Sequence, residues 1–341
     1  MAEISDLASF SKKVYPALRE ELQKDIAQAG DHNTPELLDM VTYQLGWTGE
    51  NAGSKAEGKQ LRAVLTLLAC EAAGGDWKDA LPAAAAVELL HNFSLIHDDI
   101  EDQGETRRGR PSLWKVWGKA QAINTGDAMF ALANMALLNL ADTVSTKAAL
   151  QAGALFHSTC LRLTQGQHLD ISFEKEIEID LETYWKMVGG KTAALLAFCL
   201  QVGALAAGTD LEVQAHYRDF GHYLGMSFQV QDDILGIWGE ADRTGKSITD
   251  DLVTRKKTLP VLYGLAQEKS FYKIWSEEEI TPENALQLAE ILQSEGGRAY
   301  AQSTADRLTD LALEALEKAQ TQGTAGEILK ITARNLLQRS N

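Results

Sequence analysis

The run "ALPAAAAVELLHNFSLIH", residues 80–97, constrains this chain more than any other stretch. Alanine and leucine favour helix, and the few polar residues do not recur at a spacing that would give the helix a wet face. A helix that is apolar nearly all round is stable only when other helices surround it. "GDAMFALANMALLNLAD", residues 126–142, makes the same demand. No stretch sustains a period of two, and no hairpin dipeptide joins two β-branched runs, so strands are not expected. There are six prolines, Pro16, Pro35, Pro82, Pro111, Pro260 and Pro282, and several sit where a helix would start or stop. Breaks at 46–58, 74–75, 103–111, 142–146, 208–210, 239–250 and 295–297 separate roughly ten helical segments. None is long enough to be an interdomain linker. The expected fold is all-α, one large helical bundle in which residues 1–341 share a single core.

A formal net charge of −16 over 341 residues argues against a general nucleic-acid binder. It leaves room for small phosphate-bearing substrates held by local basic groups or by metal ions. Cys70, Cys160 and Cys199 lie far apart in apolar surroundings and show no metal-ligand spacing, so they read as buried free thiols. The N-terminus is amphipathic and mixed in charge rather than basic then apolar, and no run of eighteen apolar residues occurs. No membrane span is expected, and a cytoplasmic location follows as the default.

The chemistry is concentrated in two acidic clusters. "HDDIED" places Asp98 and Asp102 on one helical face with Asp99 beside them. Carboxylates this close repel one another unless a cation intervenes. "GMSFQVQDDILGIWGE" repeats the arrangement with Asp232 and Asp233. Neither cluster holds the histidines or cysteines that zinc prefers, whereas Mg²⁺ takes one or two carboxylates plus phosphate oxygens and waters. Each cluster has basic residues downstream: Arg107 and Arg108 after the first, then Lys246, Arg255, Lys256 and Lys257 after the second. "GKQLRAV" adds Lys59 and Arg62, and "GGKTAAL" adds Lys191 and Thr192. The latter lacks the spacing and the preceding strand of a phosphate-binding P-loop. One use for such alternation is a pair of diphosphates, one held through metal by aspartates and the other gripped by Lys and Arg.

These segments, in order "EGKQLRAVLTLLAC", "HNFSLIHDDIEDQGETRRGRPSLW", "INTGDAMF", "GQHLD", "GGKTAALLAFC", "FQVQDDILGIWG" and "GKSITDDLVTRKKTLPVLYGL", resemble the trans-isoprenyl diphosphate synthases, or polyprenyl synthetases, over about residues 55–265. The resemblance implies an isoprenoid-synthase bundle with its cavity in the core. It also implies Mg²⁺-dependent condensation of isopentenyl diphosphate with an allylic diphosphate. By matching position, Asp98, Asp102 and Asp232 would bind three Mg²⁺ ions, supported by Asp99 and Asp233. Arg107, Lys191, Lys246 and Lys256 would contact the allylic diphosphate. Lys59, Arg62, Arg108 and His91 would hold isopentenyl diphosphate. Thr192 and Gln229 would turn oxygens toward the reacting carbon, while Gln167 and Asp170 match a neighbouring helix. The chain departs from the pattern at Gln60, Ala63 and Gly236, the last standing where the second motif usually ends in a third aspartate.

A tail growing back along the helix from the aspartate end reaches Ser94 and Phe93, four and five residues before Asp98 and about 6–7.5 Å deeper at 1.5 Å per residue; small Ser94 leaves room, whereas bulky Phe93 obstructs the path. With only two residues between the aspartate pairs, and without the longer insert of bacterial farnesyl synthases, the pattern is closer to short-chain geranylgeranyl synthases; the product implied is geranylgeranyl (C20) or farnesyl (C15) diphosphate. A longer-chain synthase is the alternative, with a class I terpene cyclase or a non-catalytic partner subunit behind it. The family is usually homodimeric, and the apolar helix at 118–140 is compatible with that.

Overall fold

The computed structural model describes residues 6–173, 176, 178–239 and 249–337. Fourteen helices longer than one turn carry the described chain. They are α1 (Leu7–Ile26), α2 (Pro35–Gln44), α3 (Leu61–Ala72), α4 (Leu81–Glu101), α5 (Leu113–Leu138), α6 (Thr146–Phe173) and α7 (Leu181–Val188). After a π-helical turn, Gly189–Ala193, come α8 (Ala194–Ala206), α9 (Leu211–Trp238), α10 (Leu259–Ala266), α11 (Ser270–Glu277), α12 (Pro282–Ser294), α13 (Gly297–Lys318) and α14 (Gly323–Leu337). The all-α expectation holds. The chain divides into two compact units, one of Met1–Leu155, Cys199–Gln214 and Thr321–Ile328, the other of Phe156–Phe198, Ala215–Gln320 and Leu329–Asn341.

The first unit is built around α4. Every residue from Pro82 to Leu90 is buried, as a helix without a polar face requires. Its alanines let neighbouring backbones approach closely. At Gly203 of α8 a Cβ would lie 2.3 Å from the Thr66 carbonyl of α3, so no larger residue fits there. Glycine bends α5 as well: Gly118 has φ 82° inside the helix, and the apolar segment runs on beyond it.

Two prolines depart from expectation. Pro16 lies in mid-helix of α1 rather than at an end. Phe10, Val14, Leu18, Leu22 and Ile26 recur every four residues on that helix and are buried. This stripe outweighs the roughly 3 kcal/mol that an interior proline costs. Pro111 belongs to a strand. Thr106–Arg107 (β1) pairs antiparallel with Arg110–Pro111 (β2). Arg108 and Gly109 form the turn with φ of 53° and 75°. Two consecutive positive φ values suit a tight hairpin, and the arginine in that turn concealed it from a sequence reading.

The second unit has two apolar clusters. One joins Tyr184, Val188, Val230, Ile234, Leu259 and Ala301 across α7, α9, α10 and α13. The other joins Ile237, Phe271, Trp275, Leu288 and Leu292 across α9, α11 and α12. The helical stretch Leu181–Ala206 is long and apolar enough to cross a membrane, yet 83% of its apolar window is buried inside the protein. It is placed as a core helix.

Candidate active site

The first acidic cluster forms the C-terminal end of α4, where free carbonyls make added negative charge unfavourable. The structure resolves the conflict by giving the aspartates different tasks. Asp99 is buried and binds Arg107, accepting from Nε at 2.8 and 2.9 Å and from Nη2 at 2.7 Å. Burial raises the Asp99 pKa, and Arg107 opposes the rise. Asp98 stands 3.6 Å from the same guanidinium and is partly open, while Asp102 is exposed. Arg107, expected at a diphosphate, is thus first of all the counter-charge of Asp99.

The other basic residues of this unit are also built in. The Arg108 guanidinium donates to the carbonyls of Ala56 and Glu57 at 3.0 and 2.9 Å. It lies against Gly58, where a Cβ would meet Cζ at 2.8 Å. Arg62 Nη1 stands 3.3 Å from His91 Nε2. Arginine has only donors, so Nε2 accepts and the imidazole proton sits on Nδ1. Burial, then Arg62, Arg108 and Arg107, push the His91 pKa well down, which keeps that ring neutral. Lys59 is exposed beside this group, and its carbonyl accepts from Tyr15 Oη at 2.6 Å.

Glu88 went unnoticed in the sequence. It is 1% exposed, one turn before Asn92, whose amide donates to Oε1 at 2.9 Å. Burial raises its pKa against the pull of Arg108 and Arg62. A single glutamate inside an otherwise all-apolar buried stretch was the available signal.

The second cluster repeats the division of labour. Asp232 is exposed, whereas Asp233 is 2% exposed and accepts from Tyr184 Oη at 2.6 Å, Leu259 N at 2.8 Å and Gln229 Nε2 at 3.0 Å. Burial lifts the Asp233 carboxyl to about 6, and Lys256 is the strongest influence holding it down. Thr192 Oγ1 donates to Gln229 Oε1 at 2.7 Å, so Thr192, Gln229, Asp233 and Tyr184 form one hydrogen-bonded chain. Tyr184 carried no signal in the sequence beyond its place in an amphipathic helix.

The rejected "GGKT" motif turns out to be the π-helical turn, a feature often found at functional sites. Gly166 of α6 sets it in place: a Cβ there would lie 2.1 Å from the Lys191 nitrogen. Lys191 Nζ donates to Asp170, and Gln167 sits one turn earlier on α6. Lys256 is opposed by burial, yet Asp251, Asp233, Asp232 and Asp170, in falling order, hold its pKa above the ordinary lysine range. Two lysines and four carboxylates are therefore gathered here. Arg255 is not one of the group, because its guanidinium donates to the carbonyls of Trp275 and Glu278. Lys246 lies outside the described residues.

Phe93 is half-buried, its ring 4.7 Å from that of His97 and 5.3 Å from that of Phe130 on α5. Ser94 Oγ donates back to the His91 carbonyl at 2.8 Å.

The polyprenyl synthetase family model matches residues 51–293. Over 315 residues the chain is 38% identical to "(2E,6E)-farnesyl diphosphate synthase" of Mycobacterium tuberculosis, covering 89% of this chain and 87% of that one. It is 39% identical over 292 residues to the "Geranylgeranyl diphosphate synthase" of the same organism, covering 83% and 82%. Among solved structures, a polyprenyl synthetase from Streptomyces coelicolor A3(2) superposes with a TM-score of 0.86 at 34% identity, covering 98% and 99%.

Proposed function

The chain belongs to the polyprenyl synthetase family and is a trans-prenyltransferase; from that premise we propose that it condenses isopentenyl diphosphate with an allylic diphosphate to make a short-chain product, geranylgeranyl or farnesyl diphosphate. The observation that carries this reading is the repeated pairing of one open aspartate with one buried aspartate. Asp98 is part-exposed and Asp232 exposed, while Asp99 and Asp233 are buried and hold basic or polar neighbours in place.

The donor set fits Mg²⁺. Asp98, Asp102 and Asp232 offer carboxylate oxygens only. That suits an ion that completes its shell with substrate phosphates and water. Bound there, Mg²⁺ supplies neutralisation of charge on the departing allylic diphosphate.

The protein's own groups do the rest. Lys191, Lys256 and Arg107 bind the allylic diphosphate and favour cleavage of its C–O bond by stabilising the charge that develops. Lys59, Arg62 and Arg108 hold isopentenyl diphosphate, to which neutral His91 offers its Nδ1–H. Thr192 spends its proton on Gln229, so the lone pairs of its oxygen are what an allylic cation meets. The double bond attacks that cation, and the new cation loses a proton to the released diphosphate. No protein base is required, and water has to be kept from the cation, which it would otherwise hydrolyse.

Val116, Ile123, Met135 and Leu138 on α5 are between 44% and 58% exposed, which supports a homodimer formed through that helix. The direct test of function is incubation of the purified chain with isopentenyl diphosphate, each allylic diphosphate in turn and Mg²⁺, with products identified by mass. Absence of any chain-extended diphosphate would remove the reading.

A further inference from the structure

Gly236 lies on α9, one turn past Asp232 and three residues past Asp233. A Cβ at this glycine would fall 2.0 Å from Asp251 Oδ2 and 2.5 Å from Asp251 Cγ. Its backbone is helical, so the glycine is not needed for an unusual φ. It is needed for room. The carboxylate resting on it comes from the single turn Asp250–Val253 and is only 5% exposed.

The segment that delivers Asp251 is firmly held. Thr249 takes a φ of 68° at its start, and Lys256 N donates to the Asp251 carbonyl at 2.8 Å. Arg255 ties the same loop to main-chain carbonyls at the end of α11 and stacks on Trp275 with Cζ 5.3 Å from the ring centre. Asp251 and Lys256 thereby belong to one closed turn. Asp233 accepts hydrogen bonds from Tyr184, Gln229 and Leu259. Asp232 is exposed. Among the carboxylates around Lys256, Asp251 acts on it most strongly.

We infer that Asp251 is a positioning residue of the second acidic cluster, admitted by Gly236, which fixes the Lys256 ammonium for the allylic diphosphate. The inference rests on the proposed function and adds a residue to it. It also accounts for the departure at position 236: the carboxylate missing from α9 is replaced in space by one from the following turn. A side chain restored at 236 then collides with that carboxylate, and an aspartate adds charge repulsion.

Four variants of the full-length protein test this: Asp251→Asn, Gly236→Ala, Gly236→Asp and, as a control, Lys256→Ala. Two readouts are taken. One is KM for each substrate. The other is calorimetric binding of inorganic pyrophosphate with Mg²⁺, which needs no turnover. Asn keeps the shape of Asp and removes its charge. If Asp251 positions Lys256, Asp251→Asn raises KM for the allylic substrate and weakens pyrophosphate binding by about ten- to a hundredfold, the worth of a charged hydrogen bond. KM for isopentenyl diphosphate then stays within about twofold, since uniform damage would move both constants. Gly236→Ala gives the same split, and Gly236→Asp a larger one.

An Asp251→Asn protein with unchanged KM and pyrophosphate affinity, beside a Lys256→Ala protein that loses both, overturns the role of Asp251 and leaves the diphosphate reading standing. Tighter binding in Gly236→Asp overturns it too. If Lys256→Ala itself changes neither quantity, Lys256 does not serve a diphosphate, and both the reading of this cluster and the present inference fall.

Discussion

Replacing Phe93 with alanine should lengthen the product by one five-carbon unit and no more. Phe93 lies five residues before Asp98 on α4, about 7.5 Å further along the axis at 1.5 Å per residue. A tail growing back along the helix from the aspartate end meets this ring first. Behind it stands Phe130 of α5, with ring centres 5.3 Å apart. An extended isoprene unit spans four C–C bonds of about 1.5 Å, or about 5 Å after allowing for bond angles. Removing the first ring therefore opens room for one unit before the second ring blocks the path. Both rings are half-buried, as residues lining a space would be, while Asn92, Ile96, Met129 and Ala133 beside them are buried. The assay is product analysis by mass after incubation with excess isopentenyl diphosphate. Phe93→Ala should shift the main product by one unit, Phe130→Ala alone should leave it unchanged, and the double variant should extend it further. An unaltered distribution in Phe93→Ala, or a longer product from Phe130→Ala alone, would refute the argument.

Asp98→Ala should lower kcat by about a hundred- to a thousandfold at saturating Mg²⁺, reflecting the several kcal/mol that a bound metal contributes to transition-state charge; near wild-type turnover would remove Asp98 from metal binding. Tyr184→Phe strips one donor from buried Asp233, and thermal unfolding should show a loss of about 1–3 kcal/mol; equal stability would mean the hydroxyl is not needed there. Asp25 is buried on α1, with Asn139 Nδ2 3.3 Å from Oδ1 and, among the described residues, no partner for Oδ2, and burial lifts its pKa from 3.8 to about 6. The folded state binds that proton more tightly than the unfolded chain, so the ionised form is penalised above about pH 6 and the penalty vanishes below about pH 4. Its upper limit is about 3 kcal/mol, reduced to about 1–2 kcal/mol by solvent screening. Asp25→Asn should accordingly stabilise the protein at about pH 8 and not at about pH 4; identical Tm profiles would contradict this. Gly166→Ala should shift the π-helical turn bearing Lys191 and Thr192, because a Cβ there meets main-chain atoms, and lower both Tm and kcat; a fully active, stable variant would show that the turn tolerates the displacement.

The sequence by itself determined the helical class and the helical faces on which the aspartates lie. Apolar residues without a wet face, as in 80–97, have one soluble solution, burial among other helices. Aspartates at i and i+4 share a helical face wherever that helix goes. Both follow from local periodicity, which needs no partner to be read. What each charged side chain does was decided by tertiary structure. Asp98 and Asp99 are adjacent and chemically identical, yet one is part-exposed, 3.6 Å from the Arg107 guanidinium, and the other is buried against it by the hairpin that follows. Arg255 and Lys256 are equally neighbours, but only Lys256 joins the acidic cluster, while Arg255 reaches carbonyls on α11. Pro16 is tolerated inside a helix because of what α1 packs against. Gly236 looked like a carboxylate lost until Asp251, fifteen positions on, was found seated against it. Burial, counter-charge and room are set by residues distant in the chain, and periodicity carries no record of them.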